Sequence, residues 1–163
     1  MRNFLVLAMV VLSAMAAGNA FAANNTPQTI TYQVSAINEI SVSGNPGALI
    51  VVTAVPGSQP TAVTDATTTY AITTNIASKR ITGALNTVMP DNTALKVTLV
   101  APTGGTSSGQ VTLTATAQNL VTGISTLAES GLSISYNFSA TLAAGVIGSA
   151  VKTLTLTVID GAV

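Results

Sequence analysis

The sequence contains no cysteine, no histidine and no tryptophan in its 163 residues. The absence of cysteine excludes disulfide bonds, thiolate metal ligands and a lipid-modified N-terminal cysteine, so stability must come from packing. The absence of histidine removes the usual general base at neutral pH, together with every Ser-His-Asp and Cys-His arrangement. Any catalysis would therefore depend on carboxylates or on a serine and lysine pair.

Charged residues are also scarce, with five basic and five acidic side chains. So few lysines and arginines cannot neutralise several phosphates, which argues against nucleic acid as a partner and leaves no basic patch for anionic lipid. The acids are scattered along the chain: Glu39, Asp65, Asp91, Glu129 and Asp160. None lies in an Asp-rich loop of the kind that binds calcium. The sequence thus predicts no catalytic, cofactor-binding or metal-binding residue; a hydrolase using Asp65, Asp91 and Glu129 is a distant alternative.

The N-terminus has the pattern of a cleavable bacterial signal peptide. Arg2 supplies a positive charge, an apolar run from Phe4 to Leu12 follows, and Ala20-Phe21-Ala22 offers the small residues that a signal peptidase accepts. This run is shorter than the ~20 apolar residues that a membrane-spanning helix needs. We expect residues 1–22 to be removed and residues 23–163 to form one secreted domain without a membrane span. Its location would be extracellular or on the cell surface, with the periplasm as the alternative.

Alternation of apolar and hydroxyl side chains predicts β-strands along this domain. The clearest example runs from Leu132 to Leu142, where every second residue is apolar. Further candidate strands are Leu49 to Val55, apolar on both faces and so predicted to be central, Thr68 to Asn75, Lys79 to Leu85, Leu95 to Leu99, Val111 to Ala115 and Leu154 to Val158. No segment has a sustained helical period. We expect an all-β fold, an immunoglobulin-like antiparallel β-sandwich of roughly seven to nine strands.

Two details of the domain can be predicted from residue type. Lys79 and Arg80 are expected to face solvent on an exposed edge strand, where charge discourages pairing with other chains. The glycine-rich stretch from Gly104 to Gly109 lacks the lysine and the following helix of a phosphate loop. It is expected to be a hairpin connection.

The first strand-like run of the domain is unusually long. Most of its apolar residues share one parity: Ile30, Tyr32, Val34, Ala36, Ile40 and Val42. An unbroken strand from Gln28 to Ser43 would span on the order of 50 Å at about 3.3 Å per residue. Ordinary strands reach about 17 to 20 Å.

Two interpretations of this run remain open. The run bends near Asn38 into two strands of one sandwich, or residues 23–35 protrude and serve as a donor strand that adds to another molecule. In the second case Ile30, Tyr32 and Val34 would fill pockets in a neighbouring copy, giving a homo-oligomer or a fibre.

Three segments of the sequence resemble a group of short exported bacterial proteins, most of which have no assigned function. They are Ile37 to Gly47, Asp65 to Tyr70 and Lys79 to Thr82, and the likeness extends over nearly the whole mature chain. The resemblance implies an exported immunoglobulin-like sandwich and carries over no catalytic residue. More loosely, a cysteine-free secreted sandwich with a strand-like N-terminus is similar in architecture to biofilm-fibre and pilin subunits that polymerise by donor-strand exchange.

The sequence therefore favours a non-enzymatic structural protein, either secreted or on the cell surface, that assembles into a fibre or a pilus-like structure. The alternative is a monomeric periplasmic or extracellular module for binding or adhesion.

Overall fold

The computed structural model describes residues 25–161. The signal peptide expected at residues 1–22 lies outside this range. The described chain divides into two units, one that includes residues 25–33 and one that begins at Val34. Residues 25–33 contain no regular secondary structure, and each of them is exposed.

The described part of the chain is an all-β sandwich of two antiparallel sheets. Its strands are β1 (Asn38–Val42), β2 (Val63–Thr74), β3 (Lys79–Leu85), β4 (Thr93–Leu99), β5 (Thr106–Ser107), β6 (Val111–Thr112), β7 (Gln118–Ile124), β8 (Leu127–Ala140) and β9 (Leu154–Asp160). The first sheet has the order β1-β2-β8-β4-β6 and the second the order β5-β7-β3-β9. A short 3-10 turn at Leu142–Ala144 follows β8. The all-β class and the two-sheet arrangement predicted from the sequence are confirmed.

The hydrophobic core lies between the two sheets and receives side chains from both. Its buried members are Tyr70, Ile72, Ile81, Leu85, Val97, Leu99, Leu113, Leu120, Val121, Ile124, Leu132 and Ile134. In β2, β4 and β8 the buried core residues lie on the apolar face that the alternating pattern predicts to point inward. Each aliphatic side chain so buried contributes about 1.5 to 3 kcal/mol relative to exposure, which makes this layer the main source of stability.

The segment from Leu49 to Val55 is not the central strand that its composition predicts. It lies in the loop between β1 and β2, where an isolated bridge connects it to Pro60. Ile50 and Val52 are 61% and 78% exposed. Pro56 follows directly, and because proline has no N–H to donate and restricts the preceding residue, the segment cannot continue as a central ladder.

β7 is a buried strand that alternation does not reveal. Leu120 and Val121 are consecutive, yet both are buried. The pairing of β7 with β3 shifts register between Ile81 and Thr82, where Leu120 is the extra residue on β7. Such a bulge turns neighbouring side chains toward the same face and so breaks the period of two.

Two further predictions about the domain are wrong. β3 lies between β7 and β9, so Lys79 and Arg80 are not on an edge strand. Lys79 is buried and Arg80 is partly buried. The stretch from Gly104 to Gly109 is not a hairpin connection, because it contains β5 and leads from β4 in the first sheet to the second sheet.

Candidate functional site

The N-terminal segment, defined here as residues 25–35, contains the residues proposed for assembly. Ile30, Tyr32 and Val34 are 77%, 89% and 79% exposed, and none of them belongs to a strand. The long run from Gln28 to Ser43 thus contributes one strand to the sandwich, β1, and not the two strands of the first interpretation. Three large apolar side chains at every second position therefore face solvent.

Asn75, which follows β2, fixes the point where this segment joins the domain. Its side-chain amide donates a hydrogen bond to the carbonyl oxygen of Ser35 (2.8 Å) and accepts one from the backbone N–H of Ile37 (2.8 Å). Its own N–H donates to the carbonyl of Ile37 (3.3 Å). The hydroxyl of Thr74 donates to the Asn38 side chain (2.8 Å). These bonds hold Ser35, Ile37 and Asn38 against the end of β2.

β9 is a free edge of the second sheet. Within the described residues it pairs only with β3, through seven consecutive antiparallel pairs without a bulge. Leu154, Leu156 and Val158 point to the core but are only partly buried. β9 also lies beside β1 of the first sheet, so the two strands line one open side of the sandwich.

The other sheet edges offer less to an incoming strand. β5 and β6 have two residues each. β1 has five residues, carries the exposed Glu39, and has the polar Asn38 among its core-facing positions. Because a strand of ordinary length has five to six residues, only β1 and β9 are long enough to accept one.

Lys79 and Asp160 form a cross-strand ion pair at one end of β9. The ammonium group donates a hydrogen bond to the carboxylate. This hydrogen bond and the positive charge lower the pKa of Asp160 from its ordinary value. Asp160 is the only charged residue of β9, and the pair fixes the strand to β3.

The remaining acids are not gathered in one place. Asp65 accepts hydrogen bonds from the backbone N–H and the hydroxyl of Thr67 (3.1 and 2.8 Å) at a bulge in β2, and these bonds lower its pKa. Glu129 accepts a hydrogen bond from the N–H of Thr103 (2.8 Å). Asp91 lies in the turn before β4. Among residues 25–161 no three acids cluster as metal ligands would.

The surface of the described residues has shallow depressions, two of which are candidates for binding. One has a volume of about 140 Å³ and is lined by residues of β1 and β2. Glu39 is the ionisable residue in this lining. The other, of about 360 Å³, lies near Gln59, Thr93 and Thr141 and is lined by uncharged residues. The described surface therefore offers backbone hydrogen-bonding groups and apolar side chains at its strand edges more readily than paired acid and base groups.

Neither a scan against protein-family models nor a search of curated proteins gives a match to this chain. In the part of the chain that the structure describes, no helix has the length and apolar character to cross a membrane.

Proposed function

We propose that the protein is a non-enzymatic, exported structural subunit that assembles with copies of itself by strand addition. The observation that carries this proposal is the exposure of Ile30, Tyr32 and Val34 at every second position, outside any strand. Such a pattern matches one face of a β-strand. Burial of the three side chains against a neighbour would contribute an upper figure of about 5 to 9 kcal/mol before ordering costs.

We also propose that the sandwich is immunoglobulin-like, and the strand order supports this. A seven-stranded immunoglobulin sandwich has strands A-B-E-D in one sheet and C-F-G in the other. The antiparallel row β1-β2-β8-β4 corresponds to A-B-E-D, and the neighbours β3 and β9 correspond to C and F. β5, β6 and β7 are additions between D and E. No strand within residues 25–161 occupies the position of G.

Export is the third part of the proposal and rests on the signal-peptide pattern of residues 1–22. The compartment is the cell surface or the medium of a bacterium, with the periplasm as the alternative. Expression in a bacterium, followed by fractionation and N-terminal sequencing, tests it. A mature chain beginning at Ala23 outside the cytoplasm is expected, whereas an unprocessed cytoplasmic chain would contradict export.

Assembly is tested on the mature chain, residues 23–163, by light scattering coupled to size-exclusion chromatography and by negative-stain microscopy. We expect oligomers or fibres that grow with concentration. A triple variant with Ile30, Tyr32 and Val34 each changed to Ser should stay monomeric and keep the melting temperature of the dilute, monomeric wild type, because these side chains lie outside the core. The matched control changes Thr29, Thr31 and Gln33, the other parity of the same segment, to Ser and should still assemble.

A wild-type chain that remains monomeric at high concentration would contradict the proposal and favour the alternative, a monomeric periplasmic or extracellular binding or adhesion module. Equal assembly by the triple variant and the wild type would also contradict it, because the apolar parity would then have no role.

A further inference from the structure

We infer that the free edge of β9 is the acceptor for the N-terminal segment of a second copy of the chain, an inference that rests on the proposed assembly by strand addition. The acceptor residues are Leu154, Leu156 and Val158, and the donor residues are Ile30, Tyr32 and Val34.

The backbone of β9 has hydrogen-bonding groups available on its outer side. The N–H of Asn86 donates to the carbonyl of Thr153 (2.9 Å), and the N–H of Gly161 donates to the carbonyl of Ser78 (2.6 Å). These two bonds lie just before and just after β9. They show that the backbone N–H and C=O groups of its odd-numbered residues point to β3. Because antiparallel ladders alternate, the N–H and C=O groups of Leu154, Leu156 and Val158 point away from β3, toward the free edge.

The same three residues give this edge an apolar flank. Their side chains point to the core yet remain partly exposed, because no further strand of the described chain lies beside them. An added strand would place Ile30, Tyr32 and Val34 next to them, since both sets have three apolar side chains at a period of two. Cross-strand apolar pairs of this kind stabilise a β-sheet.

Apart from Asp160 at its end, β9 lacks the features that protect edge strands from pairing. Native edges usually carry charges, prolines or bulges. The six residues Leu154–Ile159 contain no charge and no proline, and their ladder to β3 has no bulge. The donor segment from Asn25 to Ser35 is likewise uncharged. β1, the other edge of sufficient length, carries the exposed Glu39 and is shorter.

The chain has no cysteine, so disulfide mapping can identify the acceptor without background. Double variants of the mature chain combine Thr31→Cys with Thr153→Cys, Thr155→Cys or Thr157→Cys, all on the outer parity of donor and acceptor. The matched control combines Thr31→Cys with Ser41→Cys, which lies on the outer parity of β1. After oxidation, the products are separated by size under denaturing, non-reducing conditions.

We expect at least one β9 pair to give a ladder of covalent oligomers that collapses on reduction, while the β1 control and each single-cysteine protein give dimers at most. A ladder from the β1 control alone would overturn the assignment of β9 and leave strand addition intact. A cross-linked species of monomer size alone would also overturn it, because the edge would then be filled by its own chain. A wild type that forms no oligomer would overturn the proposed assembly itself.

Discussion

The ammonium group of Lys79 on β3 faces the carboxylate of Asp160 across the ladder to β9 and donates a hydrogen bond to it. Only 8% of the Lys79 side chain is exposed, compared with 87% of Asp160. A buried cation without a partner is costly, because it loses its hydration and gains nothing in return. Asp160 therefore compensates the buried positive charge of Lys79, while the Asp160 carboxylate itself remains exposed to solvent.

Asp160→Asn removes this compensation, and we expect a lower melting temperature near neutral pH. The ion pair lowers the pKa of Asp160 below its ordinary value of 3.8. Its stabilising effect is thus present above about pH 4 and is lost as the pH falls through the lowered pKa. Thermal unfolding of variant and wild type at about pH 7 and about pH 2 measures the difference, which should shrink in acid. The control is Asp91→Asn, in an exposed turn; an equal loss in both variants would refute this account.

Tyr70 is expected to limit stability in alkaline solution. Its buried hydroxyl donates a hydrogen bond to the carbonyl of Val100 (2.6 Å). Burial, with the negative charge of Glu129 as a smaller cause, raises the pKa of Tyr70 from 10.0 to about 12. A raised pKa means that the folded chain holds the proton more tightly, so stability is present below about pH 10 and falls between about pH 10 and 12.

Tyr70→Phe tests this prediction by urea unfolding. At neutral pH the variant should be less stable by about 0.5 to 1.5 kcal/mol, because the hydrogen bond is lost. Above about pH 10 its stability should fall less steeply than that of the wild type. The exposed Tyr32→Phe is the control and should match the wild type throughout. Identical alkaline slopes for the Tyr70 variant and the wild type would contradict the assignment.

Gly83 on β3 leaves room for two leucines of the neighbouring strands. A Cβ at this position would lie 2.7 Å from Cδ1 of Leu120 and 3.2 Å from Cδ1 of Leu154. Gly83→Ala should therefore destabilise the fold by about 1 to 3 kcal/mol through overpacking. Gly148→Ala, where a Cβ would meet nothing within 4 Å, should change stability by less than about 0.5 kcal/mol. Urea denaturation compares the two, and similar values would show that the space beside Gly83 is not filled.

Val52 and Val97 test whether the loop between β1 and β2 contributes to the core. Val97 is fully buried in β4, whereas Val52 is largely exposed. Val97→Ala should cost about 1 to 3 kcal/mol, and Val52→Ala should cost less than about 0.5 kcal/mol. A large loss at Val52 in urea unfolding would mean that the segment packs as the central strand its composition suggests.

The strands that can be predicted from sequence are those in which the period of two is undisturbed. β4, β9 and the part of β8 from Leu132 onward keep one apolar parity, so their inward faces follow directly from the pattern. β7 is missed because its bulge at Leu120 puts consecutive apolar residues on one face. The opposite error occurs at Leu49 to Val55, a strongly apolar run for which residues 25–161 provide no partner strand. Local composition describes a strand's faces but contains no information about whether a neighbour exists.

The same limit applies to the candidate site. The common parity of Ile30, Tyr32 and Val34 is visible in the sequence alone. The free edge of β9 is not, because edge status depends on strand order, which joins residues far apart in the chain. Lys79 illustrates the problem: its charge predicts an edge, yet it pairs with Asp160 inside the second sheet.

The free edge of β9 also determines what kind of assembly repeated strand addition would form. The segment around Tyr32 and the strand that would receive it are unlike surfaces, so their contact does not saturate in a symmetric dimer. Each added copy would bring another unoccupied β9 edge. The assembly would therefore be polar, with an unpaired N-terminal segment at one end and an unpaired β9 at the other. Closure into a ring, or a capping molecule at the unpaired β9, would then be needed to stop growth of the assembly.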